Sequence, residues 1–277
     1  MSGKTVLITG ATGFLGRKLV NIFINRGYNI VATGYSETGI KEFERAMGKD
    51  IPLYAVDIGS HYSMIKNIIN KHSVDYIIHA AALKHVGICE DNPSRAIQTN
   101  IVGSQNIIKA AIECGVENAI AISTDKSIKP LCTYGMTKKL MEEMFLENGF
   151  GVFQGVNFLF SCESVLDIWD KLRVVSKPLL VNLEAVRYFS TIDDVCNTVV
   201  SSIDAKKRFS VGECYKISIS NLQKAFSEYH NYWNVNKYAP LAIEKVEEEL
   251  PLKNIKIKEP SVKEAMALFA QHYGANK

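Results

Sequence analysis

The feature that most restricts what this chain can fold into is TGATGFLG at residues 9–16. It sets Gly10, Gly13 and Gly16 three apart, between a short β-branched run (TVLIT, residues 5–9) and a segment whose Leu15, Leu19, Ile22 and Phe23 share one helical face. Gly27 then stops that helix, as a C-terminal glycine does. Glycines at this spacing suit a backbone that must turn tightly from strand to helix and come close to a pyrophosphate, over which the helix start presents free N–H groups and positive dipole. An ordinary strand-to-helix turn is the plainer reading. With strand and helix both in place, the pattern favours a dinucleotide site built from Gly10, Thr12, Gly13, Phe14, Leu15 and Gly16.

Further apolar runs at residues 29–33, 52–56, 76–79, 118–123 and 152–160 read as strands, and helical patterns centred near residues 41, 66, 105 and 140 separate them. That alternation predicts an α/β fold, a Rossmann-type doubly wound parallel sheet over residues 1–160, with a smaller C-terminal α/β lobe over 161–277 partly interleaved with the sheet. The tail carries an acidic stretch at 244–249, Pro251, and a last helix with Ser261 and Glu264 spaced as a capping box. The 277 residues, 47% hydrophobic, suffice for one large core and a small lobe. Charges are interspersed and the net charge is only +3, so no nucleic-acid footprint or membrane-binding patch stands out. Six scattered cysteines (Cys89, Cys114, Cys132, Cys162, Cys196, Cys214) fit unpaired thiols in a reducing compartment and a cytoplasmic protein. No apolar run nears the roughly 20 residues of a membrane span, and the early first strand leaves no room for a signal peptide.

The second strand ends in TGYS (residues 33–36), with Gly34 near the place where an NAD-preferring fold keeps a carboxylate for the ribose hydroxyls. Its loss removes the repulsion of a 2′-phosphate, although no arginine stands in that stretch and Glu37 follows closely. The balance favours NADP, with NAD as the alternative, and brings Tyr35 and Ser36 to the cofactor. Asp57, with Ile58 just past the third strand, is placed to accept from an adenine amino group or simply to close a turn.

Tyr134 and Lys138 in YGMTK lie four apart, one helical turn, so an ammonium beside the phenol is expected to lower its pKa from about 10 and let it take a hydroxyl proton. A chance surface pair has the same spacing, but Ser123 and Thr124 lie upstream at the carboxyl end of a predicted strand, where ligands meet such sheets. Asp125 and Lys126 follow directly. An adjacent acid and amine can protonate a departing hydroxyl and take a proton from carbon, which elimination of water requires; the plainer alternative is a solvated loop pair.

AAALKHVGICEDNP (80–93), TNIVGSQNIIKAA (99–111) and STDKSIKPLCTYGMTKK (123–139) resemble the extended short-chain dehydrogenases/reductases that act as UDP-N-acetylglucosamine 4,6-dehydratases, especially the C5-inverting branch feeding pseudaminic acid and capsule sugars. The likeness runs to about residue 148. It implies an NAD(P)-dependent lyase with Tyr134 as base at the C4 hydroxyl, Thr124 orienting that hydroxyl, Lys138 on the nicotinamide ribose, Asp125 as acid toward the C6 hydroxyl and Lys126 as base at C5. It also implies cofactor contacts at Ala80, Ala81 and Ala82, substrate contacts at Lys84, His85 and Asn157, a UDP-sugar substrate and a homo-oligomer; a lone histidine such as His85 is otherwise a packing or hydrogen-bonding residue. RYFSTIDD (187–194) matches a later family segment and makes Arg187 a candidate for the sugar-nucleotide phosphate, or else a surface salt-bridge residue. The stretch VNFLFSCESVLDIW (156–169) is shortened and lacks the family's arginine-tyrosine-glycine-asparagine run. A 5,6-dehydratase, C5-epimerase or 4-ketoreductase of the same sugars and a non-catalytic NAD(P)-binding sensor therefore stay open. No metal site is expected, since His79, His85 and Cys89 fit no ligand spacing and His79 sits in a buried strand.

Overall fold

The structure is a computed structural model and describes residues 3–48, 50–161, 164–237, 250 and 255–274. Strands and helices alternate through its first half: β1 (Thr5–Thr9), α1 (Phe14–Asn25), β2 (Asn29–Gly34), α2 (Glu37–Met47), β3 (Leu53–Ala55), α3 (Tyr62–Lys71), β4 (Tyr76–His79), α4 (Val86–Asp91), α5 (Pro93–Ile97), α6 (Gly103–Glu113), β5 (Asn118–Thr124), α7 (Thr133–Glu147) and β6 (Gly151–Gly155). A π-helical turn, Gln98–Val102, joins α5 to α6. The remaining elements are β7 (Asn157–Phe158), α8 (Val165–Val174), β8 (Leu179–Val181), β9 (Val186–Ser190), α9 (Ile192–Ser201), β10 (Arg208–Phe209), β11 (Glu213–Ser218), α10 (Ile219–His230), β12 (Val235–Lys237), β13 (Lys256–Lys258) and α11 (Val262–Gly274).

Seven strands form one all-parallel sheet in the order β10-β6-β5-β4-β1-β2-β3. The order reverses between β1 and β4, the switch point outside which a doubly wound sheet opens its ligand crevice. The central strands can be apolar along their length because helices cover both faces: Val6, Leu7, Ile8, Ile77, Ile78 and Ala119 to Ile122 are all buried. Ile65 and Ile69 of α3, Ile107 and Ala111 of α6, and Met141 and Phe145 of α7 pack onto them as one core. Truncating a buried aromatic there, such as Phe145→Ala, costs about 3–5 kcal/mol.

By internal packing the chain divides into Met1–Gly155 with Asp193–Ser210, and Val156–Ile192 with Val211–Lys277. The second unit carries a four-stranded sheet, β13-β11-β9-β7, a two-stranded one, β12-β8, and a core around Trp169, Leu179, Phe226 and Phe269. The single strand expected over 152–160 is thus two: β6 closes in the parallel sheet at Gly155, and β7 pairs with β9. Apolar residues continue across the break at Val156 and Leu159, both buried, so hydrophobicity carries no sign of the change of sheet. At the start of α11 the Glu264 amide donates to Ser261 Oγ (3.3 Å) and the Ser261 amide to Glu264 Oε2 (2.8 Å), a capping box. The acidic stretch 244–249, Pro251 and Cys162 lie outside the described residues. The other five cysteines carry free thiols. Among the described residues no helix is long and apolar enough to cross a membrane.

Candidate active site

The glycine loop between β1 and α1 is built to a tolerance that only glycine meets. A Cβ on Gly16 would stand 2.3 Å from the Gly10 carbonyl oxygen, and one on Gly10, whose φ is +68°, would stand 2.7 Å from the Ala81 amide nitrogen. The start of α1 therefore folds directly under the loop, and the loop lies against the chain leaving β4. Gly13 occupies the N-cap without a side chain, so the first N–H groups of α1 stay available to an anion. Thr9 Oγ1 accepts from the Ala81 amide (3.3 Å), fixing the Ala80 to Ala82 segment beside the loop. Thr12, Phe14 and Leu15 are half-buried around it. At the far side Tyr35 and Ser36 are exposed beyond β2, Ser36 Oγ capping α2 by accepting from the Gly39 amide (3.1 Å). Asp57 Oδ1 accepts from the Gly59 amide (2.9 Å), so one of its oxygens closes a turn, and Ile58 beside it is buried. These residues fit a dinucleotide: a glycine turn packed tightly on its own backbone, leading into a helix N-terminus without a side-chain cap, at the sheet's switch point.

Beyond β5 the backbone makes one 3-10 turn, Asp125–Ser127, before α7. A Cβ on Gly135 would lie 2.3 Å from the Lys126 carbonyl oxygen, so the glycine of the YG pair lets the first turn of α7, with Tyr134, seat against that turn. Asp125 is 3% exposed. Its Oδ1 accepts from Thr124 Oγ1 (2.8 Å) and from Lys126 Nζ (3.3 Å), whereas Oδ2 is buried with no hydrogen-bond partner among the described residues. The carboxylate is held by one oxygen and uncommitted at the other.

The electrostatics of Tyr134 differ from the expectation that Lys138 lowers its pKa. Burial pushes the phenol above its ordinary 10, and the cation opposing that rise is Lys126. Lys138 is 2% exposed and turns under the helix, its Nζ donating to Met141 Sδ at 3.0 Å. Burial pulls Lys138 down to about 7, with Glu142 acting in the opposite sense. Spacing by four put both side chains on one flank of α7 but did not fix their depth, and depth decides which cation the phenol feels. Beneath them His79 hydrogen-bonds Thr9 Oγ1 through Nδ1 (2.8 Å) and Ser104 Oγ through Nε2 (3.0 Å), and burial holds it near 3.

Two residues outside the sequence-derived set shape this end of the sheet. The fully buried Glu142 carboxylate accepts from Ser123 Oγ (2.5 Å), Ser127 Oγ, Gln154 Nε2 (3.1 Å) and Arg208 Nε (3.0 Å), so it grips the Thr124–Asp125–Lys126 turn from both flanks. Asn100, in the π-helical turn, accepts from the Leu83 amide (2.8 Å) and donates to the Leu83 carbonyl (3.0 Å) and Thr137 Oγ1 (3.0 Å). It fixes the segment carrying exposed Lys84 and half-buried His85 against α7. Glu142 sits one turn past Lys138, and Asn100 lies in the TNIVG string; spacing gave neither a role, because their partners come from other strands and helices. Asn157 and Arg187 belong to the second unit, where Asn157 Nδ2 donates to the Tyr188 carbonyl (3.0 Å) and Arg187 Nη1 to the Val186 carbonyl (3.0 Å).

A family model described as polysaccharide biosynthesis protein matches residues 6–268. An inverting UDP-N-acetylglucosamine 4,6-dehydratase of Campylobacter jejuni is 32% identical over 231 residues, 79% of this chain and 68% of that protein. Among solved structures, Pen from Bacillus thuringiensis matches with a TM-score of 0.86 at 24% identity, covering 98% of this chain and 99% of that one. A dTDP-glucose 4,6-dehydratase, DesIV from Streptomyces venezuelae, solved with NAD bound, matches with a TM-score of 0.82 at 17% identity, over 98% and 97% of the two chains. At such identities the structural likeness speaks to the fold.

Proposed function

The chain belongs to the polysaccharide biosynthesis protein family, among the extended short-chain dehydrogenases/reductases, and from that premise we propose that it is a nucleotide-sugar dehydratase that uses a bound nicotinamide dinucleotide, NADP before NAD, on UDP-N-acetylglucosamine. The observation that carries this reading is Asp125: a buried carboxylate at the carboxyl end of β5, paired with Lys126, with one oxygen uncommitted beside the turn that seats Tyr134. A simple reductase has no use for such a pair; elimination of water does.

Tyr134, as phenolate, takes the proton of the C4 hydroxyl, which Thr124 orients, as C4 becomes a ketone; burial opposes that form and the Lys126 cation favours it. The new carbonyl acidifies the C5 proton. Lys126 Nζ donates to Asp125 Oδ1 at 3.3 Å, and passing that proton to the carboxylate gives the acid and the neutral amine that elimination needs. The amine removes the C5 proton, Asp125 protonates the C6 hydroxyl, the C6–O bond breaks and water leaves; Lys126 then gives a solvent-exchangeable proton back to C5 as C6 is reduced, and the proton held by Tyr134 is released through solvent to reset Asp125. The nicotinamide supplies, when bound, a hydride acceptor at C4 and a donor to C6. The family resemblance assigns Lys138 to its ribose, which requires the buried Nζ to leave Met141 Sδ, and the glycine loop to its pyrophosphate. Lys84 and His85 are assigned to the sugar nucleotide on the family resemblance.

The test is incubation of the purified chain with UDP-N-acetylglucosamine in heavy water, followed by mass spectrometry and proton NMR. Loss of water with deuterium at C5 is expected, and the C5 configuration assigns the inverting or retaining branch. An unchanged sugar in the presence of tightly bound cofactor would overturn the reading in favour of a sensor.

A further inference from the structure

We infer that Arg95 is the residue by which this chain recognises the 2′-phosphate of NADP; the inference rests on the dinucleotide reading above and names the group that sets its preference. The position where a ribose-binding carboxylate belongs is filled by the Thr12 side chain. At Gly34, the last residue of β2, a Cβ would stand 2.4 Å from Thr12 Cγ2 and 2.9 Å from Thr12 Oγ1, so an acidic side chain there requires the Thr12 side chain to turn aside. What the fold brings instead is a cation that sequence proximity hides. Arg95, on α5 and sixty positions from Tyr35, donates from Nη2 to the Tyr35 hydroxyl (3.3 Å), with its guanidinium carbon 5.6 Å from the ring centroid.

Three features make this pair more than surface decoration. Tyr35 directly follows Gly34 and is 60% exposed, so the guanidinium is held over the place where the adenosine ribose must lie if the pyrophosphate rests on Gly10 to Gly16. Among the described residues Arg95 commits one donor, to Tyr35, which leaves the rest of a planar five-donor fork for an anion. Asp57, whose Oδ1 closes a turn with the Gly59 amide and which the sequence offers as a partner for adenine, is near enough to add to the stabilisation of the Arg95 cation. Thr12 Oγ1 and Ser36 Oγ lie close to Gly39 at the start of α2 and add hydroxyl partners. Glu37, in the first turn of α2, works against a phosphate, so Arg95 must outweigh it. A guanidinium paired with a dianionic phosphate ester does so through charge-assisted, bidentate bonds.

Calorimetric titration of the whole chain with NADP⁺ and with NAD⁺ tests this, in the wild type, Arg95→Ala and Arg95→Lys. The expected result is a wild-type preference for NADP⁺, a loss of about tenfold or more in NADP⁺ affinity in Arg95→Ala with NAD⁺ affinity changed less than about twofold, and partial recovery in Arg95→Lys. Arg95 is exposed, so the alanine variant is expected to fold, which circular dichroism checks. Equal losses for both dinucleotides, or an unchanged NADP⁺ affinity, would overturn the assignment and leave the dinucleotide reading standing. Binding of neither dinucleotide by the wild type would overturn both.

Discussion

The two ends of the parallel sheet handle charge in opposite ways. At the amino end, Lys4 bonds Glu117 and Tyr76 (3.4 Å), and Tyr76 donates to Asp204 (3.0 Å). Lys4, Glu117 and Asp204 each face an opposite charge or a hydroxyl, and Lys4 and Glu117 are partly open to solvent. Glu117 lies below the usual carboxylate range because Lys4 holds it. At the carboxyl end, Lys138 is sealed against a thioether, Asp125 leaves an oxygen unpaired and the Tyr134 phenol is pushed up by burial. Paired charge at low burial suits a fold that must only stay closed. Charge buried ahead of its partner is costly unless a ligand completes it, and such groups gather where chemistry is done.

The largest expected effect comes from the phenol. Tyr134→Phe should lower turnover by roughly a hundredfold to ten-thousandfold in a steady-state dehydration assay, with NADP⁺ binding retained. Turnover unchanged by that variant would place the two ends of the sheet on the same footing.

Glu142→Ala comes next. It strips Ser123, Ser127, Gln154 and Arg208 of a shared buried acceptor, and urea unfolding should show a loss of about 2–3 kcal/mol, discounted because Arg208 is partly exposed. Turnover should fall as well, because the Asp125 turn loses its grip. Stability lost with kcat intact would make Glu142 a brace only.

The pH dependence of stability should separate buried from paired charge. Lys138 has a folded pKa of about 7 against an ordinary 10.5, so between those values the unfolded chain holds a proton that the folded chain has released, and stability rises with pH across that window. His79, at about 3 against 6.5, has the same sign, and stability falls as pH drops from 6.5 toward 3. Denaturation midpoints measured across pH should lose the upper slope in Lys138→Met and keep it in the wild type.

The smallest effect belongs to the amino end. Lys4→Met should leave turnover unchanged and shift the melting temperature little, since a solvent-screened pair contributes little. A large loss of turnover there would contradict the division between the two ends.

How far the fold and site were legible follows from where the partners of each residue lie. The strands before residue 150 and the glycine loop could be read because their signals are local: β-branched runs, helical faces, and glycines at fixed spacing. The passage from β6 to β7 could not, because two strands of different sheets are equally apolar and only pairing tells them apart. The Asp125–Lys126 pair was visible as adjacent letters, but not that Asp125 is buried with an oxygen to spare. Tyr134 and Lys138 were visible as a helical pair, and the cation acting on the phenol was misassigned because depth is a tertiary property. Arg95 was invisible in its setting. The sequence has no arginine beside Gly34, and the one that reaches that place arrives on a helix sixty positions from Tyr35.

Solvent deuterium at C5 of UDP-N-acetylglucosamine, followed by proton NMR in the wild type and in Lys126→Met, tests most directly whether the acid, amine and phenol at the carboxyl end work as one proton-handling set. The wild type should incorporate deuterium as water is lost, while the variant still binds NADP⁺ but leaves the C5 proton in place. Incorporation by Lys126→Met at the wild-type rate would contradict it.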